Sequence, residues 1–148
     1  MATKVKPIPD GFHTATPYLV VDDGDKQIQF LKQAFDATEV HVSRRPNGRM
    51  MHAEVKIGDS IIMIGEAQDT WNAMPAMVYL YVEDVDGTFR QATAAGGKTV
   101  REVKDEFYGD RSGGVEDPCG NMWWIATHLE DVSREELERR FAAMGQQH

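Results

Sequence analysis

The sequence predicts an α+β fold made of two tandem βαβββ units that form an incomplete barrel around a cleft, followed by a C-terminal helix. Three observations predict it. Leu19-Val20-Val21-Asp22-Asp23-Gly24-Asp25 returns as Leu80-Tyr81-Val82-Glu83-Asp84-Val85-Asp86, 61 residues later. Ile62-Met63-Ile64 returns as Trp123-Trp124-Ile125 at the same spacing. Each half also runs through the same succession of strand-like and helix-like stretches. A constant offset of this kind marks a duplicated supersecondary unit. Two such units pack together and enclose a cleft, and the function is expected there.

The elements follow in order. Residues 1–12 read as an irregular arm. The first unit spans 14–65. Its first strand covers 14–21 and stops at Asp22-Asp23-Gly24. Asp25 is expected to cap a helix reaching Ala37, with Ile28, Leu31, Ala34 and Phe35 on one face at helical spacing. Val40 and Val42 alternate with His41 and Ser43. Pro46-Asn47-Gly48 is a hairpin signal, because Asn-Gly tolerates the positive φ of a tight turn. The return strand should turn Met51, Ala53, Val55 and Ile57 to one side and Met50, His52, Glu54 and Lys56 to the other. Gly58-Asp59 leads into the strand 60–65.

Residues 66–75 read as a linker, and the second unit spans 76–128. It opens with the strand 76–82. Asp86 is expected to cap a helix that Gly96-Gly97 stops. A strand follows near 99–104. The stretch 106–114 is turn-rich, and Gly113-Gly114 argues against a strand there. Asp117-Pro118 to Asn121 is a turn before the last strand, 122–127. Ser133-Arg134-Glu135-Glu136 is a capping box that opens a helix over 132–146. The whole of 1–148 is read as a single domain.

Bulk properties exclude several functions. The 148 residues are 41% apolar, enough for a packed core, and carry a formal net charge of −8. With no basic surplus, nucleic acid is not an expected partner. No stretch is apolar and long enough to suggest a membrane span, and the N-terminus lacks the shape of a signal peptide. The single cysteine, Cys119, rules out an internal disulfide and suits a reducing compartment. A cytoplasmic protein is therefore expected.

The tandem βαβββ pattern, the V-x-D turn before each helix and Asp117-Pro118-Cys119-Gly120-Asn121 before the last strand resemble the vicinal oxygen chelate superfamily. That superfamily includes glyoxalase I, bleomycin- and fosfomycin-resistance proteins and extradiol dioxygenases. Met51-His52-Ala53-Glu54 with Ile57-Gly58-Asp59-Ser60, and Tyr108-Gly109-Asp110-Arg111, are similar to its PhnB-like subgroup. The resemblance covers about residues 14–128. It implies four metal-ligand positions, on the first and last strands of each unit, and these fall on Thr16, Met63, Met77 and Trp124. Two thioethers, an indole and a hydroxyl are not ligands for a hard or borderline divalent ion. No metal and no other cofactor is therefore expected. The superfamily's habit of pairing units within or between chains implies a homodimer, since an unpaired sheet would leave an apolar face uncovered.

Strand alternation assigns side chains to the cleft. Val78, Leu80 and Val82 claim the helix side of their strand, leaving Met77, Tyr79 and Tyr81 for the cleft. Thr16, Tyr18, Val20, Ile61, Met63, Met122 and Trp124 follow by the same rule. His41, His52 and Glu54 form an expected polar corner. If Asn47-Gly48 is a two-residue turn, His41 faces Glu54 and Ser43 faces His52 across the hairpin. A carboxylate beside an imidazole would hold it in one tautomer, as for an oriented general base. Arg111, in the irregular Tyr108–Arg111 stretch, could take an acidic group of a ligand at the cleft mouth, or pair with Asp110 or Glu116 at the surface. The expected ligand contacts are thus Tyr18, His41, Tyr79, Tyr81, Arg111 and Trp124, with His52 and Glu54 as the catalytic candidates.

Three readings of function remain open from sequence. The first is a metal-independent binder of a small, partly apolar organic molecule, of the bleomycin-resistance type. The second is an isomerase or lyase with His52 as acid/base and Glu54 orienting it. The third is a metalloenzyme with a site relocated to His41, His52 and Glu54.

Overall fold

Each half of the chain folds into its own four-stranded sheet. The computed structural model describes residues 4–145. The first unit contains β1 (Tyr18–Val21), α1 (Gly24–Phe35), β2 (Thr38–Arg44), β3 (Met50–Ile57) and β4 (Ser60–Glu66). The second contains β5 (Met77–Tyr81), α2 (Val85–Ala94), β6 (Lys98–Asp105), β7 (Asp110–Glu116) and β8 (Met122–His128). A C-terminal helix, α3 (Arg134–Gly145), follows. The strand orders β1-β4-β3-β2 and β5-β8-β7-β6 are the same arrangement twice. In both units the first strand pairs parallel with the last, and Tyr18↔Met63 matches Tyr79↔Trp124 at the repeat offset.

Both helix starts move from expectation by the same two residues. Asp23, not Asp25, caps α1 by accepting from the Lys26 backbone N–H, and Asp84, not Asp86, caps α2 by accepting from Gly87 N–H. A residue near the end of each last strand, equivalent in the repeat, supports the helix as well. The Glu66 carboxylate accepts from Gly24 N–H at 2.7 Å, and Thr127 Oγ1 accepts from Val85 N–H at 2.9 Å.

The two sheets share no strand pairing, and the core joins the units through the helices. Leu19, Phe30, Leu31, Ile62 and Ile64 of the first unit and Val115, Trp123 and Ile125 of the second are buried in one cluster. Phe35 of α1 packs against Trp123 with ring centroids 5.2 Å apart. Each such side chain contributes about 1.5–3 kcal/mol through burial. A polar knot lies beside this contact. Gln27 donates to Asp117 Oδ2 at 2.8 Å and accepts from Asn121 Nδ2 at 2.9 Å. Trp123 Nε1 also donates to Asp117 Oδ2, at 2.8 Å. The other Asp117 oxygen takes the N–H groups of Cys119 and Asn121, and Asn121 Oδ1 takes that of Ala76. Gln27, Asp117 and Asn121 are buried, so these bonds satisfy groups that would otherwise be costly to desolvate. The Asp-Pro-Cys-Gly-Asn segment is thus a turn and also the fastening between the units.

β7 overturns the expectation drawn from Gly113-Gly114. A Cβ on Gly113 would lie 2.8 Å from Val103 and 3.0 Å from Phe89, and one on Gly114 would lie 2.4 Å from the Trp124 ring. The pair therefore makes room for neighbours on both faces of a true strand.

The β2–β3 hairpin carries two irregularities. At one, Val40 has no partner between Glu39↔Val55 and His41↔Glu54. At the other, Met51 has none between Ser43↔His52 and Arg44↔Met50. Extra residues of this kind are bulges, and they reverse side-chain facing. Val40 is 52% exposed instead of in the core, and Met51 is 46% exposed instead of facing the helix. Met50 turns inward beside Gly24 and is fully buried.

Candidate functional site

The face of each sheet opposite its helix is open, and each open face carries a cluster of polar and aromatic side chains. On the first, the bulges confine the expected register to three pairs, but these include the ones that matter: His41↔Glu54 and Ser43↔His52. The turn itself differs from expectation. Gly48 donates to Arg45 O, Arg45 donates to Arg49 O, and Gly48 has φ +87°, so the loop is longer than two residues and one bulge absorbs the excess.

His52 and Glu54 come together. Alternate residues of β3 share a face, and His52 Nε2 lies 2.9 Å from Glu54 Oε2. On the other side, His52 Nδ1 lies 3.2 Å from the Tyr18 hydroxyl. With neutral histidine, the carboxylate accepts from Nε2–H, and Nδ1 is left to accept the tyrosine proton. The result is a relay, Tyr18–His52–Glu54. Tyr18 also contacts Trp71, with centroids 5.5 Å apart. Gly65 makes this possible, since a Cβ there would sit 2.7 Å from the Tyr18 oxygen and 3.2 Å from the Trp71 ring. Burial pushes the Tyr18 hydroxyl above the usual tyrosine pKa, favouring its protonated form. The N-terminal arm roofs this face, and Pro7, Ile8, Phe12 and His13 enclose a cavity of about 420 Å³ with Glu54 and Met63 in its wall.

His41 does not join this group. It faces Glu54 in register, but it is exposed and makes no side-chain hydrogen bond among the described residues. The expected corner of His41, His52 and Glu54 is therefore corrected to Tyr18, His52 and Glu54. Val20 and Ile61, also expected in the cleft, are buried, and the linker residue Met74 donates its N–H to Val20 O.

The second open face centres on Asp110. Its Oδ2 accepts from Tyr79 at 2.8 Å and from Tyr81 at 2.9 Å, while Oδ1 lies 2.7 Å from His128 Nδ1. Burial alone would raise the Asp110 pKa, but the hydrogen bonds from His128, Tyr79 and Tyr81 outweigh it and hold the carboxyl below its ordinary value. His128 is raised by its bonds to Asp110 and then Asp131. Tyr79 is raised strongly, first by burial and then by its bonds to Tyr108 and Asp110. Trp124 lies nearby with the Arg101 guanidinium 5.5 Å from its ring centroid. Next to Asp110 along this face, the Ser112 hydroxyl is buried without a hydrogen-bond partner.

Arg111 is corrected. It points to the helix side of β7, where Nε and Nη2 grip both oxygens of Asp86 at 3.0 Å and Nη1 reaches Asp105 at 3.0 Å. Its charge is committed to bracing α2, and neither Asp110 nor Glu116 is its partner. Cys119 is half-buried, and burial pushes its thiol up to about 12, which suppresses the reactive thiolate.

Asp110 and His128 were not singled out by sequence reasoning. They lie 18 residues apart in a stretch whose glycines hid the strand, and only the pairing Asp110↔His128 brings them together.

Thr16, Met63, Met77 and Trp124 offer a donor set that does not fit a divalent ion. Among the described residues no group of three or more His, Cys, Asp or Glu side chains is placed to hold a metal ion, so His41, His52 and Glu54 do not form the relocated centre either. No helix among the described residues is long and apolar enough to cross a membrane.

Comparison with known proteins agrees with this architecture. The family model described as Glyoxalase/Bleomycin resistance protein/Dioxygenase superfamily matches residues 12–125. An uncharacterized protein of Mycobacterium bovis is 30% identical over 98% of this chain and 99% of its own length. Among solved structures, TioX from Micromonospora sp. ML1 is 26% identical with a TM-score of 0.68, covering 77% of this chain and 97% of that one. The PhnB protein from Bacillus cereus is 19% identical with a TM-score of 0.62, covering 78% and 99%, a likeness of fold.

Proposed function

This chain belongs to the glyoxalase/bleomycin-resistance/dioxygenase superfamily, and on that premise we propose that it binds a small, partly apolar organic molecule in its cleft without the superfamily metal. The observation that carries this reading is the cavity under the N-terminal arm, whose wall includes Glu54, the carboxylate end of the Tyr18–His52–Glu54 relay. Apolar residues of the arm and Met63 supply contact area, and Glu54, His13 and Thr16 supply a few polar groups, the usual composition of a small-molecule site. Glu54 meets the ligand's polar group from the cavity wall, and His52 and Tyr18 extend the polar site beside it.

An enzymatic reading is favoured by the same relay. With Nε2–H donating to Glu54, His52 Nδ1 can take the Tyr18 proton as the tyrosine oxygen takes one from the ligand, and the carboxylate stabilises the imidazolium. That is the acid/base arrangement of an isomerase or lyase. A thermal-shift screen of the purified protein against metabolites, followed by product analysis on any ligand found, tests both readings. Stabilisation without product supports the binder, turnover supports the enzyme, and no stabilisation by any compound contradicts both.

Assignment to the PhnB-like subgroup rests on Met51-His52-Ala53-Glu54 and Tyr108–Arg111. A cytoplasmic location is part of this reading, supported by the charge of −8 and the single cysteine. So is a homodimer. Leu129, Phe141 and Met144 are exposed on and before α3, and the Phe141 ring meets that of Phe107. We assign this surface to a second copy. Sedimentation should give a dimer at micromolar concentration and a monomer for Phe141→Asp. A monomeric wild-type protein would contradict the assignment.

A further inference from the structure

A second recess lies between the units, away from His52 and Glu54. It has a volume of about 990 Å³ and runs along the unpaired edge of β5. Tyr79 and Tyr81 form one wall. The C-terminal end of α1 and the β3–β4 turn form the other.

Two features of this groove agree on the charge of its occupant. The first is aromatic. The rings of Tyr79 and Tyr81 are 39% and 65% exposed, their centroids are 5.2 Å apart, and both hydroxyls donate to the buried Asp110 carboxylate. Donation to an anion pushes electron density into a phenol ring, which strengthens the attraction of its face for a cation. The second is electrostatic. Asp36, Asp59 and Glu83 line the groove, and its described lining contains no lysine or arginine. The end of α1 that meets the groove is its carbonyl end, which carries the negative pole of the helix dipole. His128 is the one lining group able to carry positive charge, and it is held between Asp110 and Asp131.

We propose that the groove between the two units binds a small organic ammonium ion, its cationic head against Tyr79 and Tyr81 and its charge balanced by Asp36, Asp59 and Glu83. The site does not use the Tyr18–His52–Glu54 relay and stands apart from the function proposed for that cavity.

The test uses the full chain and two probes of nearly equal shape, benzyltrimethylammonium and uncharged neopentylbenzene. Binding is followed by tyrosine ring shifts in NMR. The ammonium ion should bind at least tenfold more tightly than its neutral isostere. Tyr81→Leu should weaken it about tenfold, Glu83→Gln about twofold to threefold, and added salt should weaken it further. His52→Ala should leave it unchanged. Equal binding of both probes, no binding of either, or binding indifferent to Tyr81→Leu would overturn the proposal. A neutral ligand lost only in His52→Ala would leave the relay cavity standing while this site fell.

Discussion

The two open faces descend from one repeat, yet they have been put to different uses. Glu54 pairs with Met63 on the first sheet, and Gly114 pairs with Trp124, the repeat counterpart of Met63, on the second. Where one face presents a carboxylate, the other removes its side chain to seat an indole. Two residues back along each strand, His52 corresponds to Ser112. The first face therefore keeps a histidine with both nitrogens engaged, beside a carboxylate that lines a cavity. The second keeps a buried hydroxyl without a partner, and its titratable cluster moves one pair further, to Asp110 and His128. That shift has a cause. The bulge at Met51 turns Met50 into the core, whereas β7 runs without interruption against β8 and leaves Asp110 on the open side. The same position serves packing in one unit and electrostatics in the other.

This contrast can be broken from either side. Asp110→Ala should have the largest effect. It leaves two tyrosine hydroxyls and an imidazole without their shared acceptor, and chemical denaturation should show a loss of about 2–4 kcal/mol. A loss below about 1 kcal/mol would show that Asp110 is not the keystone of its face.

Gly114→Ala comes next. The added methyl meets the Trp124 ring, and displacing the indole should cost about 1–3 kcal/mol and change tryptophan fluorescence. An unchanged spectrum would mean the ring is free to move.

The third effect is in pH. The raised His128 stabilises the fold fully below its unfolded pKa of about 6.5, and the contribution is lost as pH rises through the folded value. The lowered Asp110 acts oppositely, stabilising above about pH 4 and losing its effect as pH falls through its folded value. The pair therefore favours a melting temperature that is highest between about pH 4 and 6.5. His128→Gln should flatten the decline above that range, and an identical decline in the variant would assign it to other groups.

The duplication was legible because it is written in period and spacing, which survive divergence. The two βαβββ units and the equivalence of the strands bearing Tyr18 and Tyr79 follow from that pattern, and the shared face of His52 and Glu54 follows from strand alternation. The register at His52 matches the expected one although the loop is longer than two residues, because the bulge at Met51, between the loop and His52, absorbs the excess. No single residue announces a bulge, so the facing of Val40, Met50 and Met51 was not readable. Arg111 was misplaced because its loop proved to be a strand, and strand alternation then turned it toward Asp86. Asp110 and His128 escaped notice because a carboxylate among glycines carries no local signal of the tyrosines that will reach it. Asp117 and Asn121 were read as turn residues, and their reach to Gln27 across 90 and 94 residues is visible only in three dimensions.

The central claim is that His52 serves ligand binding on the first open face, whereas Asp110 serves the stability of the second. His52→Ala tests it most directly, with stability and ligand affinity measured on the same preparation. The account predicts a stability loss of no more than about 1 kcal/mol, since the imidazole is part-exposed and leaves little unpaired, together with at least a tenfold loss of affinity for whichever ligand the screen identifies. A variant destabilised by about 3 kcal/mol with unchanged affinity would make His52 a structural histidine and contradict the account.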